Sequence, residues 1–203
     1  MQTRVGKLVA KICSDGLKKV TLELGGNCPC LVFDDADLNQ AADGMLLSDM
    51  AVSSSADFCT ALMALKWRHA GQACITANRV YVQSGVYDKF AAILKERTGK
   101  LVVGHGADKN TTMGPVTTPQ SLTKALNQVE DAKKLGGQVV LGGAKVAGTT
   151  GYFFEPTIIL GAKKDMIITE EETFAPILAL YSFDTEDEAV QAANDTSVSR
   201  PVG

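Results

Sequence analysis

The feature that most constrains this chain is a repeated alternation of two apolar patterns. Runs that read as strands at 29–33, 78–83, 139–141, 152–160 and 177–183 are separated by stretches with helical spacing at 87–99, 119–135 and 185–194. Briefer runs at 19–24, 101–103 and 167–168 also read as strands. Strands separated by helices are not joined by tight hairpins; their crossovers favour parallel pairing and lay helices over the sheet. The expected fold class is therefore α/β, a largely parallel twisted sheet with helices on both faces. At 203 residues and 45% hydrophobic content, the chain is long enough to bury such a core.

Stop and start residues agree with this rhythm. Val5, Leu8, Val9 and Ile12 share a helical face over 3–14, and Gly16 follows as a stop. Asp37 can cap a helix through Ala41, Ala42 and Met45, and 61–69 resumes a helical pattern that ends at Gly71. The polar helix from Pro119 closes at Gly136 and Gly137, and Thr185 or Asp184 caps the last one. Residues 46–62, LLSDMAVSSSADFCTAL, break an otherwise continuous helical region and read as an insertion.

Charge removes whole classes of partner. Lys and Arg number 20 against 23 Asp and Glu, net -3, with no basic run, so nucleic acid and anionic membrane surfaces are not expected partners. No window approaches the roughly 18 apolar residues of a membrane span, and no secretory signal is visible. The amphipathic, basic stretch 3–14 (Arg4, Lys7, Lys11) suits a packed helix or a transit peptide. Five cysteines without a C-x-x-C pair fit a reducing compartment. The expected location is cytoplasmic, with the mitochondrial matrix as the alternative. His69 and His105 are the only histidines, so no metal site is expected.

Two residues could carry chemistry. Cys74 lies in the small-residue turn Gly71-Gln72-Ala73-Cys74, where a thiolate can attack a carbonyl and its own amide N–H can face the oxyanion. An inert, partly buried cysteine is the competing reading. Glu23 closes an alternating run just before Gly25 and Gly26, where its carboxylate can enter a cleft or simply face solvent.

The letters themselves carry more. VTLELGGN at 20–27, GQAC at 71–74 and EETFAP at 171–176, in this order, resemble the aldehyde dehydrogenase superfamily. The flanking VFDDADL, WRHAGQACITANRVYV, GHGADKNTTMGP, GYFFEPTII and SFDTEDEA are most similar to its succinate-semialdehyde dehydrogenase branch. The resemblance runs through nearly the whole chain except 46–62 and the last few residues. It implies NAD(P)-dependent oxidation of an aldehyde, with succinate semialdehyde as the expected substrate. Cys74 is then the nucleophile that forms a thiohemiacetal and a thioester, and Glu23 is the base that activates the hydrolytic water.

The same resemblance places Glu172 on the nicotinamide ribose, Phe174 against the cofactor, and Leu24 and Val5 along its pocket. Arg68, six residues before the cysteine, matches the position that clamps a distal carboxylate, a task suited to guanidinium geometry; a solvated helix arginine is the plainer alternative.

Departures from the family pattern set further expectations. The chain opens within the family's F-T-G-S-T-x-V-G stretch, so 1–26 is read as a remnant of the cofactor-binding domain. Residues 27–198 are read as the catalytic domain with the 46–62 insertion, and 199–203 as a divergent tail. Glu23 and Cys74 stand farther apart than the family's motifs, by the length of 46–62. Ala175 replaces a commoner glycine, and Thr76 stands where some relatives carry a second cysteine. The family is homo-oligomeric, but its usual C-terminal oligomerisation segment is not expected here. Cofactor binding is expected to be impaired, and this polypeptide alone is expected to be inactive. The alternatives are a non-catalytic fragment that binds or poisons full-length subunits, and a slow thiol esterase.

Overall fold

The computed structural model describes residues 3–39, 41–42 and 66–196. Its elements are α1 (Thr3–Asp15), β1 (Cys28–Val32), β2 (Ala77–Gln83), α2 (Tyr87–Thr98), α3 (Pro119–Lys134), β3 (Gln138–Leu141), β4 (Thr157–Leu160), α4 (Ile167–Glu170), β5 (Ile177–Phe183) and α5 (Glu186–Asn194). The five strands form one sheet in the order β1-β2-β5-β4-β3. β1 with β2, β2 with β5 and β4 with β5 pair in parallel, while β3 joins its edge antiparallel to β4. The fold class is thus α/β and mostly parallel, as the alternation implies.

Burial explains why the centres of the middle strands, 80–82 and 177–181, are apolar at successive positions. Val80, Tyr81 and Val82 of β2, and Ile177, Leu178, Ala179, Leu180 and Tyr181 of β5, are all buried, which requires cover on both faces of the sheet. Phe90, Ala91 and Leu94 of α2 and Ala125, Val129 and Ala132 of α3 supply part of that cover. Tyr81 and Tyr181 face each other across the β2–β5 register, their rings 4.8 Å apart. β3, on the edge, is only partly covered.

Several expected strands fold differently. Residues 19–24 alternate, yet they run as an irregular connection into β1 and not as a strand. Residues 167–168 begin a single helical turn, because Asp131 of α3 accepts the Ile167 amide at 2.8 Å and caps it. Of 152–160 only Thr157–Leu160 is a strand, and 101–103 contributes one isolated bridge, Val103 to Met113. The last helix is capped by Thr185, with Glu188 completing a capping box. The 46–62 insertion and the 199–203 tail lie outside the described residues, as do the helical residues expected at 43–45 and 61–65.

Candidate active site

Each of the three motifs ends where a parallel strand begins. Gly25-Gly26-Asn27 leads into β1, Gly71 to Cys74 into β2, and Glu171 to Pro176 into β5. Because β1, β2 and β5 are adjacent and parallel, their leading ends lie side by side. The motifs therefore meet at the N-terminal edge of the strands, opposite the edge that open α/β sheets usually give to ligands.

Gly26 is the point of contact. It is buried, its N–H donates to Glu172 Oε1 at 3.0 Å, and a Cβ added to it would come within 3.1 Å of the Cys74 carbonyl oxygen. Asn27 fixes the same segment from the other side. Its Nδ2 donates to the Thr169 carbonyl at 2.8 Å, and its own carbonyl accepts from Arg79 Nε at 3.0 Å. The backbone that leads to β1 is thus tied to the segments before β5 and within β2.

The cysteine turn is held as firmly. Ala70 and Gly71 are both left-handed, with φ of 50° and 71°, and a Cβ at Gly71 would collide with the Ala175 carbonyl. The Gln72 side chain fixes the turn to the loop before α3. Its Oε1 accepts from the Thr117 N–H at 2.9 Å and the Thr117 hydroxyl at 3.0 Å, while Nε2 donates to the carbonyls of His69 and Pro115. Cys74, half-buried, stands at the end of this braced turn. Phe174 is left-handed too, with φ of 49°, and 38% of its surface remains exposed. A large apolar ring held outward on a strained backbone has the form of a contact surface.

Two buried basic side chains lie next to these segments. Lys66 is fully buried, donates to Asn78 Oδ1 at 3.0 Å, and burial holds its pKa down to about 7. Arg79, also fully buried, donates from NH1 to Tyr81 Oη and the Ala192 carbonyl and from NH2 to the Ala193 carbonyl, besides its bond to Asn27. It joins β2 to the last turn of α5, where helix carbonyls are unpaired and the dipole favours a cation.

The remaining sequence candidates are more open. Glu23 is exposed three residues before Gly26, and Arg68 is exposed on the helical residues that precede the turn. Leu24 is half-buried against α1, where a Cβ at Gly6 would come within 2.6 Å of its Cδ2. Val5, beside Gly6, is 38% exposed. Thus Glu172 is bonded to the Gly26 backbone and the Cys74 carbonyl lies close to the same glycine, while Leu24 and the Val5 turn adjoin each other. The sequence reading passed over Gln72, Lys66 and Arg79. Arg79 left the clearest trace, a charge just before the apolar run Val80-Tyr81-Val82.

The aldehyde dehydrogenase family model matches residues 2–200. The chain belongs to the aldehyde dehydrogenase family. This aldehyde dehydrogenase chain is 49% identical to the NADP(+) succinate-semialdehyde dehydrogenase 1 of Schizosaccharomyces pombe, over 97% of this chain and 36% of that protein. It is 40% identical to a glutarate-semialdehyde dehydrogenase of Pseudomonas putida, over 96% of this chain and 36% of that protein. The crystal structure of succinate-semialdehyde dehydrogenase from Burkholderia pseudomallei superposes with a TM-score of 0.85 at 38% identity, covering 100% of this chain and 40% of that one. The chain therefore spans little more than a third of the length of the curated relatives it matches.

Proposed function

We propose that this chain carries the thiol half of an NAD(P)-dependent aldehyde oxidation whose substrate is a small aldehyde with a distal carboxylate, succinate semialdehyde first. The observation that carries this reading is the meeting of the three motif segments at Gly26, whose N–H is bonded to the Glu172 carboxylate and which has the Cys74 carbonyl close enough to crowd any side chain there. The semialdehyde dehydrogenases among the relatives support the substrate class.

In this reading the Cys74 thiolate adds to the aldehyde carbon, and the Cys74 N–H faces the oxygen that becomes negative. The addition forms a thiohemiacetal. A nicotinamide dinucleotide, when bound, supplies the acceptor for the hydride whose departure leaves a thioester on Cys74. Glu23 removes a proton from water, the hydroxide adds to the thioester, and collapse expels the Cys74 thiolate and releases the carboxylic acid. The exposed Phe174 ring and the Glu172 carboxylate fit the nicotinamide end of such a cofactor, with Leu24 and Val5 offering apolar surface beside α1. Arg68 clamps the distal carboxylate.

Acylation of the chain by an activated thioester tests the nucleophile directly. One acyl group per chain, absent in Cys74→Ala, is expected; labelling that survives this change refutes the assignment. NADPH formation from succinate semialdehyde and NADP, measured on the same protein, then reports whether these 203 residues turn over unaided.

A second reading has its own observation. Leu8 of α1 is 58% exposed, Ile12 62% and Leu17 94%, an apolar face left open. We infer from it that the chain also docks on full-length aldehyde dehydrogenase subunits, and co-purification of the two tests this.

A further inference from the structure

The loop that presents Glu172 and Phe174 is held by a residue outside every motif. Lys124 lies in the middle of α3, and its Nζ donates to the Glu172 backbone carbonyl at 2.6 Å while forming an ion pair with Glu171 Oε2 at 3.2 Å. The Glu172 residue is thus gripped at both ends. Lys124 holds its carbonyl, and Gly26 holds its carboxylate through an N–H at 3.0 Å. The next residues leave little freedom of their own: Thr173 and Ala175 are buried, Phe174 is left-handed, and the Ala175 carbonyl lies against Gly71.

We propose that Lys124 is a positioning residue: by fixing the Glu172 carbonyl it orients the Glu172 carboxylate onto the Gly26 N–H and toward the nicotinamide ribose. The bond to the carbonyl is the effective one. An ammonium donating to a buried-side carbonyl is a charge-assisted hydrogen bond, stronger than a neutral one. The ion pair to Glu171 joins two half-open side chains, 39% and 58% exposed, and such pairs contribute little. α3 is the right platform for the task. It is capped by Thr118, whose side chain accepts the Ser121 amide, and it buries Ala125, Gln128, Val129 and Ala132. A rigid helix therefore transmits its position to a loop that has no regular structure of its own.

The proposal rests on Glu172 as a cofactor contact, but its structural core, the link from Lys124 through Glu172 to Gly26, is measurable without any cofactor. NMR-monitored exchange of the Gly26 amide in the whole chain reads it. In Lys124→Met the amide loses its well-placed acceptor, and exchange is expected to quicken about tenfold. Lys124→Arg, which keeps a cationic donor, recovers most of the protection. Glu171→Gln, which removes only the ion pair, leaves Gly26 as in the parent. A thermal midpoint shared by all four proteins excludes a general loosening.

NADPH titration by fluorescence follows the same order, weakest in Lys124→Met. Unchanged Gly26 exchange in Lys124→Met overturns the proposal, as does failure of Lys124→Arg to recover it, or a Glu171→Gln effect as large as that of Lys124→Met. If Gly26 responds as expected while NADPH affinity is identical in all four proteins, the link stands and the cofactor role assigned to Glu172 falls.

Discussion

Two stretches that carry the family's letters sit in this molecule in opposite ways. The turn before β2 and the loop before β5 are closed on each other: Gly71 lies under the Ala175 carbonyl, Gly26 under the Cys74 carbonyl, and Gln72 is bonded on every side. The stretch from α1 to Glu23 is open, with Leu8, Ile12 and Leu17 exposed and no regular structure between α1 and β1. The difference follows from topology. Segments that lead directly into adjacent parallel strands are positioned by the sheet, whereas a segment that leads into a single edge strand is positioned only at its end. Cys74 and Glu172 belong to the first group, and Glu23 and Val5 to the second.

The largest expected effect falls where the closed region is tightest. Gly71→Ala puts a Cβ on a left-handed residue and into the Ala175 carbonyl. The two penalties together are about 4 kcal/mol. Urea denaturation should show this loss with an unchanged m-value; a loss under about 1 kcal/mol would mean that the two loops part easily.

Next in size is Arg79→Met. Its guanidinium serves the carbonyls of Asn27, Ala192 and Ala193 as well as Tyr81 Oη. Methionine fills much of the volume but donates nothing, so a destabilisation of about 3 kcal/mol is expected from the stranded acceptors. The same variant should loosen Asn27, and faster acylation or alkylation kinetics at Cys74 would register that disturbance next door.

Lys66→Met sets two terms against each other at neutral pH: it removes a poorly solvated amine, a gain of about 2 kcal/mol, and strands the buried Asn78 Oδ1, so a net gain under about 1 kcal/mol is expected. The pH dependence has a definite sign. The folded pKa is depressed to about 7 from an ordinary 10.5, so between these values the unfolded chain binds a proton that the folded chain lacks. Lys66 therefore makes stability rise with pH across that window. The advantage of Lys66→Met should be greatest below pH 7 and shrink toward pH 10.5; an advantage independent of pH would show that Lys66 keeps its proton when buried.

These buried residues also mark where sequence reading stops. Residues 177–181 and 80–82 declare themselves as the middles of central strands, because burial on both faces demands consecutive apolar residues there. The pair Asp184-Thr185 declares a helix start through local chemistry alone, and the structure chooses Thr185 as the cap. By contrast, 19–24 has a faultless strand alternation and 167–168 a β-branched pair, and neither is a strand. The Asp131 cap decides the second case, and it comes from far along the chain.

The site divides in the same way. Cys74, Glu23 and Glu172 stand in motifs that letters can reveal. Lys124 and Gln72 act on carbonyls and amides brought close only by the strand order β1-β2-β5, which no local pattern encodes.

The smallest expected effect belongs to the open region and is the sharpest test of the contrast. Ile12→Ser removes a side chain already 62% exposed from a helix whose neighbour Leu8 is 58% exposed. Little apolar area returns to water, so stability should change by less than about 0.5 kcal/mol. If the face serves the chain alone, that is the whole effect. If it docks on full-length subunits, Ile12→Ser leaves the urea midpoint in place yet weakens co-purification, because the apolar area it removes is buried only in the complex. A destabilisation above about 1 kcal/mol would instead mean that α1 packs within the chain, and the contrast between closed and open regions would fail.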